Sequence, residues 1–155
     1  MKTLVLTLFL LGASALDCEP SDRIINVHES DPEMNAAIAK ARGSLPRFWA
    51  LFANPAKGET NFALKVKVTD SHGVEHFWCT DLGREGTRIF GVINNDPNVV
   101  ESVKIGQRIE IKPDDISDWL FMREGKMHGN FTVRPLFKSM TPEEVAQIKA
   151  MLADP

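Results

Sequence analysis

The alternation that begins at Asn61 constrains this chain more than any other feature. Phe62, Leu64, Val66 and Val68 alternate with Ala63, Lys65, Lys67 and Thr69. That period of two is the pattern of an antiparallel strand with one buried face. Asp70-Ser71-His72-Gly73 supplies turn formers, and Val74 to Leu82 returns as a second strand. Arg84-Glu85-Gly86 turns the chain into a third strand, Arg88 to Asn94, which Asn95-Asp96-Pro97 closes. After a loop or short helical turn over Val99 to Val103, a fourth strand is expected near Gln107 to Lys112. Pro113-Asp114-Asp115 then starts a tight turn. Trp119 to Arg123 and Gly129 to Lys138 are expected to pair across Glu124-Gly125-Lys126.

Helical signals flank this run. Asp31 is a good N-cap, followed by Pro32 and by Glu33 in the first turn. Met34, Ile38, Ala41 and Leu45 then recur on one face. Ser44 can cap a second, short helix carrying Phe48, Trp49 and Phe52, which Asn54-Pro55 ends. Thr141-Pro142-Glu143-Glu144 opens a last helix with the residues of a capping box, and Val145, Ile148 and Leu152 form its stripe. The expected class is α+β. A bent, barrel-like antiparallel β-meander of about six strands is covered by the N-terminal helices and one C-terminal helix.

The first residues carry an export address. Lys2 precedes the apolar run Thr3 to Leu11, and Ala13-Ser14-Ala15 matches the small-x-small cleavage site of a signal peptide. The run is too short to anchor in a bilayer, so no stable membrane insertion is expected after cleavage following Ala15. This divides the chain into a signal peptide (1–15), a flexible leader (16–30) and one domain (31–155). The expected location is periplasmic or secreted. A net charge of −3 with scattered basic residues offers no footprint for nucleic acid. Cys18 and Cys79 are the two cysteines. An exported protein can oxidise such a pair, but Cys79 inside a strand suits a buried free thiol better than a disulfide.

The densest chemistry lies in His72 to Asp81, HGVEHFWCTD. Its H-x-x-E-H pattern matches a zinc motif only if it is helical. On a strand His72 and His76 stand about 13 Å apart at ~3.3 Å per residue, too far to share an ion. No metal or other cofactor is therefore expected. Along the same strand Val74, His76, Trp78, Thr80 and Leu82 share one side, while Glu75, Phe77, Cys79 and Asp81 share the other, so His76 and Cys79 face opposite ways. Asp114, Asp115 and Asp118 invite a calcium reading but lack the glycine and terminal Glu of a calcium loop. Asn130-Phe131-Thr132 is formally a glycosylation sequon, but it falls in an expected strand. Neither a G-x-S-x-G elbow nor a glycine-rich phosphate loop is present.

These residues also carry a resemblance. The segments MNAAIAKAR (Met34 to Arg42), LPRFWALFANP (Leu45 to Pro55), HGVEHFW (His72 to Trp78), DDISDW (Asp114 to Trp119) and GNFTVRPLFK (Gly129 to Lys138) occur in this order. Together they resemble the YegJ-like family of bacterial proteins, a domain of unknown function, over roughly Asp31 to Leu152. The resemblance implies no activity, cofactor or catalytic residue. Family members often carry Val where this chain has Cys79.

The function expected is non-catalytic: an exported domain binding a small ligand or an envelope protein. The candidate binding residues are Glu75, His76, Trp78, Asp118, Trp119 and Asn130, polar or amphipathic groups beside the strand and turn motifs. No catalytic residue is assigned. The alternatives are a small secreted hydrolase using two carboxylates from among Glu75, Asp81 and Asp118 or an unassigned His, and an inhibitor or immunity-like partner of a secreted protein. Burial of all six candidates would sink this site hypothesis altogether.

Overall fold

The computed structural model describes residues 31–153 and, at the level of the backbone, the strands Thr3–Thr7 and Ile24–His28. The cleavage site after Ala15, most of the leader and Cys18 lie outside the described residues. In chain order the elements are β1 (Thr3–Thr7), β2 (Ile24–His28), α1 (Pro32–Gly43), α2 (Leu45–Ala53), β3 (Glu59–Thr69), β4 (Val74–Glu85), β5 (Arg88–Ile93), β6 (Arg108–Ile111), β7 (Ile116–Arg123), β8 (Lys126–Gly129) and α3 (Pro142–Met151). A 3-10 turn, Pro113–Asp115, precedes β7, and a 3-10 helix, Phe131–Ser139, follows β8.

The expected α+β class is the class observed. The strands β3 to β8 form an antiparallel sheet in which β3 pairs β4 and β7, and β7 pairs β8. β4 is long and forks at its outer edge. Val74–His76 pair in parallel with β1, whereas Cys79–Glu85 pair with β5, which carries β6. β6 and β8 do not pair with one another, so the sheet is open and not a closed barrel. The chain leaves β6 and returns on the far side of β3, so that β7 is flanked on both edges. Ile116 through Phe121 are buried without a break, and a strand with two buried faces requires such a central position.

Each helix starts where its capping residues predict. The Asp31 carboxylate accepts the Glu33 and Met34 N–H groups at 2.9 and 3.0 Å, and Lys138 closes this cap from the 3-10 helix at 2.8 Å. Thr141 and Glu144 exchange the two bonds of a capping box. Ser44 is different: it stands at the start of α2 but makes no side-chain cap. Its hydroxyl lies 2.9 Å from the Ala41 carbonyl and accepts the Trp119 indole N–H at 3.0 Å, tying the α1–α2 joint to β7.

The main core joins Phe48 of α2 to Leu64, Val66, Phe77, Cys79, Ile93, Trp119 and Phe121 of the sheet. A second cluster, Ala63, Trp78, Leu120 and Met127, has Leu152 from the C-terminal end packed against it. Both sides of β4 are therefore covered, and its first six residues are all buried.

One strand expected from the sequence does not form. Gly129 to Lys138 is not a partner of β7, because β8 ends at Gly129 and a 3-10 helix follows. Gly129 and Asn130 are both left-handed, with φ of 81° and 47°. Two such residues in succession divert the chain out of the sheet.

Candidate functional site

All six candidate binding residues are buried, and they do not converge on one cleft. The Glu75 carboxylate serves the backbone: it accepts the N–H groups of Asn98 and Val99 at 3.0 Å and of Val100 at 3.4 Å, fixing the loop after β5. Trp119 belongs to the core, with its N–H on the Ala41 carbonyl at 3.1 Å. Asn130 is 5% exposed, and its N–H bonds the Trp119 carbonyl at 2.8 Å. Its burial also withholds the sequon from a glycosylating enzyme.

Asp118 ends in a polar cage. It accepts the Trp119 N–H at 2.8 Å and both the N–H and the hydroxyl of Thr132 at 2.7 Å. The Thr132 oxygen accepts in turn from Lys65 at 2.9 Å. Burial pushes the Asp118 carboxyl above its ordinary range, opposed by Lys65 and these donors. Every bond to the carboxylate comes from a donor, so the cage is built for the ionised form. Burial also pushes Lys65 down, to about 8, with Asp118 opposing. The Lys65 ammonium sits 4.7 Å from the centre of the Trp78 ring, a cation–π contact made out of water.

His76 bonds Ser117 through Nδ1 at 2.7 Å, and the Ser117 hydroxyl reaches the Lys65 carbonyl at 3.2 Å. Its Nε2 is buried without a partner among the described residues. Burial, then Lys65 and Lys67, push the imidazole down to about 3, so it is neutral at physiological pH. Cys79 is a buried free thiol, raised to about 12 by burial.

The residues of the zinc and calcium patterns are dispersed. His72 lies on the exposed turn, Asp114 pairs with Arg42 at 3.2 Å, and Asp115 approaches Lys67 at 3.9 Å. Among the described residues no group of three His, Cys, Asp or Glu is placed to hold a metal.

Of the six, Trp78 lines a cleft of 440 Å³. Ligand pockets typically span roughly 300–1,000 Å³. Two β-bulges shape the cleft. β3 inserts one residue between its Thr60–Met122 and Ala63–Leu120 pairs, and β4 inserts one between Thr80–Val92 and Gly83–Phe90. Each insertion holds a left-handed residue, Asn61 (φ 54°) and Asp81 (φ 47°), the conformation that opens one type of bulge. The two bulges lie on neighbouring strands, and both contribute to the lining: Asn61 and Phe62 from one, Asp81 and Leu82 from the other. Trp78 and Leu120 complete the apolar lining, and Asn94 adds a polar residue.

The sequence did carry a signal for this place. An Asn at the entry to a strand and an Asp inside one are the residues that best tolerate a left-handed backbone. At Asp81 the expected strand continues in β4, but the bulge changes which side the following residues face.

The family described as "Uncharacterized protein conserved in bacteria (DUF2314)" matches residues 31–153. The chain belongs to this YegJ-like DUF2314 family. It is 36% identical to "Uncharacterized protein YegJ" of Escherichia coli (strain K12) over 153 residues, which cover 98% of this chain and 99% of that protein. It is also 35% identical over 130 residues to the "Putative ankyrin repeat protein NMB1133/NMB1171" of Neisseria meningitidis serogroup B (strain ATCC BAA-335 / MC58). That match covers 78% of this chain and 51% of the Neisseria protein. No solved structure matches the chain.

Proposed function

We propose that this family member is an exported, non-catalytic binding domain, periplasmic or secreted, whose small ligand enters the Trp78 cleft. The observation that carries this reading is the pair of bulges that open one cavity between apolar walls and a few polar groups. Backbone conformations of this cost persist where the surrounding fold enforces them, and they gather at functional sites.

A hydrolase is less well supported. Glu75 and Asp118 are saturated with donors inside the domain and His76 is engaged by Ser117, so Asp81 lines the cleft with neither a second carboxylate nor a histidine among the described lining residues. A protein partner is also less well supported, because Ile105 is the sole exposed large hydrophobic among the described residues. Export draws on the signal sequence ending at Ala15. Cleavage there removes β1 and frees the outer edge of Val74–His76, but it leaves the cleft lining of residues 52–120 in place.

Indole is a suitable probe, small enough for the cleft and matched to its apolar lining. Titration followed by NMR is expected to shift the Trp78 indole N–H and the Leu120 methyls saturably. Thr80→Arg, at a half-buried lining position, is expected to abolish the response. An unchanged titration in that variant would remove the cleft as the site, and retention of the protein in the cytoplasm would remove the export half of the reading.

A further inference from the structure

A second depression, of 320 Å³, lies between the two N-terminal helices, the β7–β8 hairpin and the 3-10 helix. It differs in chemistry from the Trp78 cleft. Lys40 of α1, Arg47 of α2 and Arg134 of the 3-10 helix all line it, and no carboxylate among the described residues does. Phe131 and the His128 ring supply flat walls. His128 is stacked on Phe121 at 4.9 Å and 7°, which holds the ring in place.

Among the described residues no ion pair engages Lys40, Arg47 or Arg134, although Arg134 feels the buried Asp118 carboxylate, which Thr132 and Lys65 hold on the other side. Arg134 donates to the carbonyls of Gly129 and Asn130 at 3.1 and 3.0 Å, contacts that position the guanidinium without cancelling its charge. Its head lies 5.9 Å from the Phe131 ring centre, and the Lys40 ammonium lies 5.4 Å from the same ring. Glu59, the carboxylate felt by His128, is already taken by Arg123 and by the Ala56 N–H. Three cations from three elements, around an aromatic wall with no acid in its described lining, repel one another unless an anion joins them.

We propose that this depression binds a small organic phosphate, with the phosphate group among Lys40, Arg47 and Arg134 and a flat organic body against Phe131 and His128. Charge count favours phosphate over carboxylate. A phosphate monoester carries about −1.5 to −2 at neutral pH, against −1 for a carboxylate, and so balances more of the three cations. Arginine is suited to this task because its planar fork matches phosphate oxygens. A soluble ligand fits better than a lipid headgroup, since no exposed apolar patch among the described residues rims the site. Four of the five segments that carry the family resemblance meet here, through Lys40, Arg47, Trp119 and Arg134.

The test uses the purified exported protein with phenyl phosphate as probe, and phenol and inorganic phosphate as its two halves. Phenyl phosphate is expected to bind saturably by calorimetry, at least about tenfold tighter than either half, because charge-assisted bonds and ring stacking act together. Lys40 and Arg47 are exposed, so Lys40→Gln/Arg47→Gln is expected to keep the wild-type melting temperature. The same variant should lose about tenfold or more in affinity for phenyl phosphate. Binding should also weaken as salt rises. Phenol binding as tightly as phenyl phosphate, equal affinity in the double variant, or uptake confined to phosphatidic acid vesicles would each overturn the proposal.

Discussion

Lys65 and Asp118 stand directly opposite one another on β3 and β7, with the Thr132 hydroxyl accepting from the ammonium at 2.9 Å and donating to the carboxylate at 2.7 Å. The relay links the centre of the sheet to the 3-10 helix that follows β8. Both charges are almost wholly buried, at 2% and 0% exposure. Such a pair contributes little net stability, yet removing one partner strands the other in a low-dielectric interior.

Lys65→Met is therefore expected to destabilise the fold by about 3–5 kcal/mol. The double variant Lys65→Met/Asp118→Asn should lose less than the sum of its single changes, with a coupling of at least ~1 kcal/mol. Urea denaturation of the four proteins measures this. Strict additivity would show that the two charges do not sense one another.

The neutral, buried His76 makes stability fall in acid. Its folded pKa is about 3, below the ordinary 6.5. Between those values the unfolded chain takes up a proton that the folded chain refuses. Stability thus decreases as pH drops through this window, by up to about 1.4 kcal/mol per pH unit. His76→Gln is expected to flatten the slope between pH 6.5 and 4. Asp70 acts lower. Burial pushes it up, but the N–H groups of His72, Glu101 and Ser102 more than offset this and bring it to about 2 from 3.8. Its contribution is present above the ordinary value and is lost as pH falls toward 2, so Asp70→Asn should alter only that later phase. Urea midpoints at a series of pH values separate the two, and identical slopes in all three proteins would contradict both assignments.

Gly129 is held by contact as well as by conformation. A Cβ added there would collide with the Trp119 carbonyl oxygen and lie 2.6 Å from the indole ring, at a φ of 81°. The nearest obstacle is backbone of a central strand and cannot swing away. Gly129→Ala is expected to cost more than ~3 kcal/mol, combining the left-handed penalty with overpacking. A melting temperature within ~2 °C of wild type would contradict this contact, given the usual shift of several degrees per kcal/mol.

Period and capping made most of the fold legible. The alternation of β3 and β4, the Asp31 cap and the Thr141–Glu144 capping box are local signals, and each formed where the residues place it. Strand order was less legible, because β7 leaves its sequence neighbour β6 to bury both its faces beside β3. Apolar content alone does not choose that partner. The site was the least legible part. Burial of Glu75, Asp118 and Asn130 follows from backbone groups they satisfy at a distance in sequence. The cationic depression draws Lys40, Arg47 and Arg134 from separate segments that only the folded chain brings together.

Cys79 offers a final check on how the β4 core is built. It lies opposite Leu64 on β3 and Ile93 on β5, is fully buried, and is raised to about 12 by that burial. Both access and thiolate fraction are thus withheld from a thiol reagent. In a Cys18→Ser background, a disulfide-exchange dye is expected to label the native protein only as fast as it unfolds, and rapidly once urea crosses the midpoint. Immediate labelling at neutral pH would contradict the buried placement. Since Cys79 acts here as a small hydrophobe, Cys79→Val should change stability by less than ~1.5 kcal/mol. A much larger loss would mean that the thiol makes a contact that a hydrocarbon of similar size cannot replace.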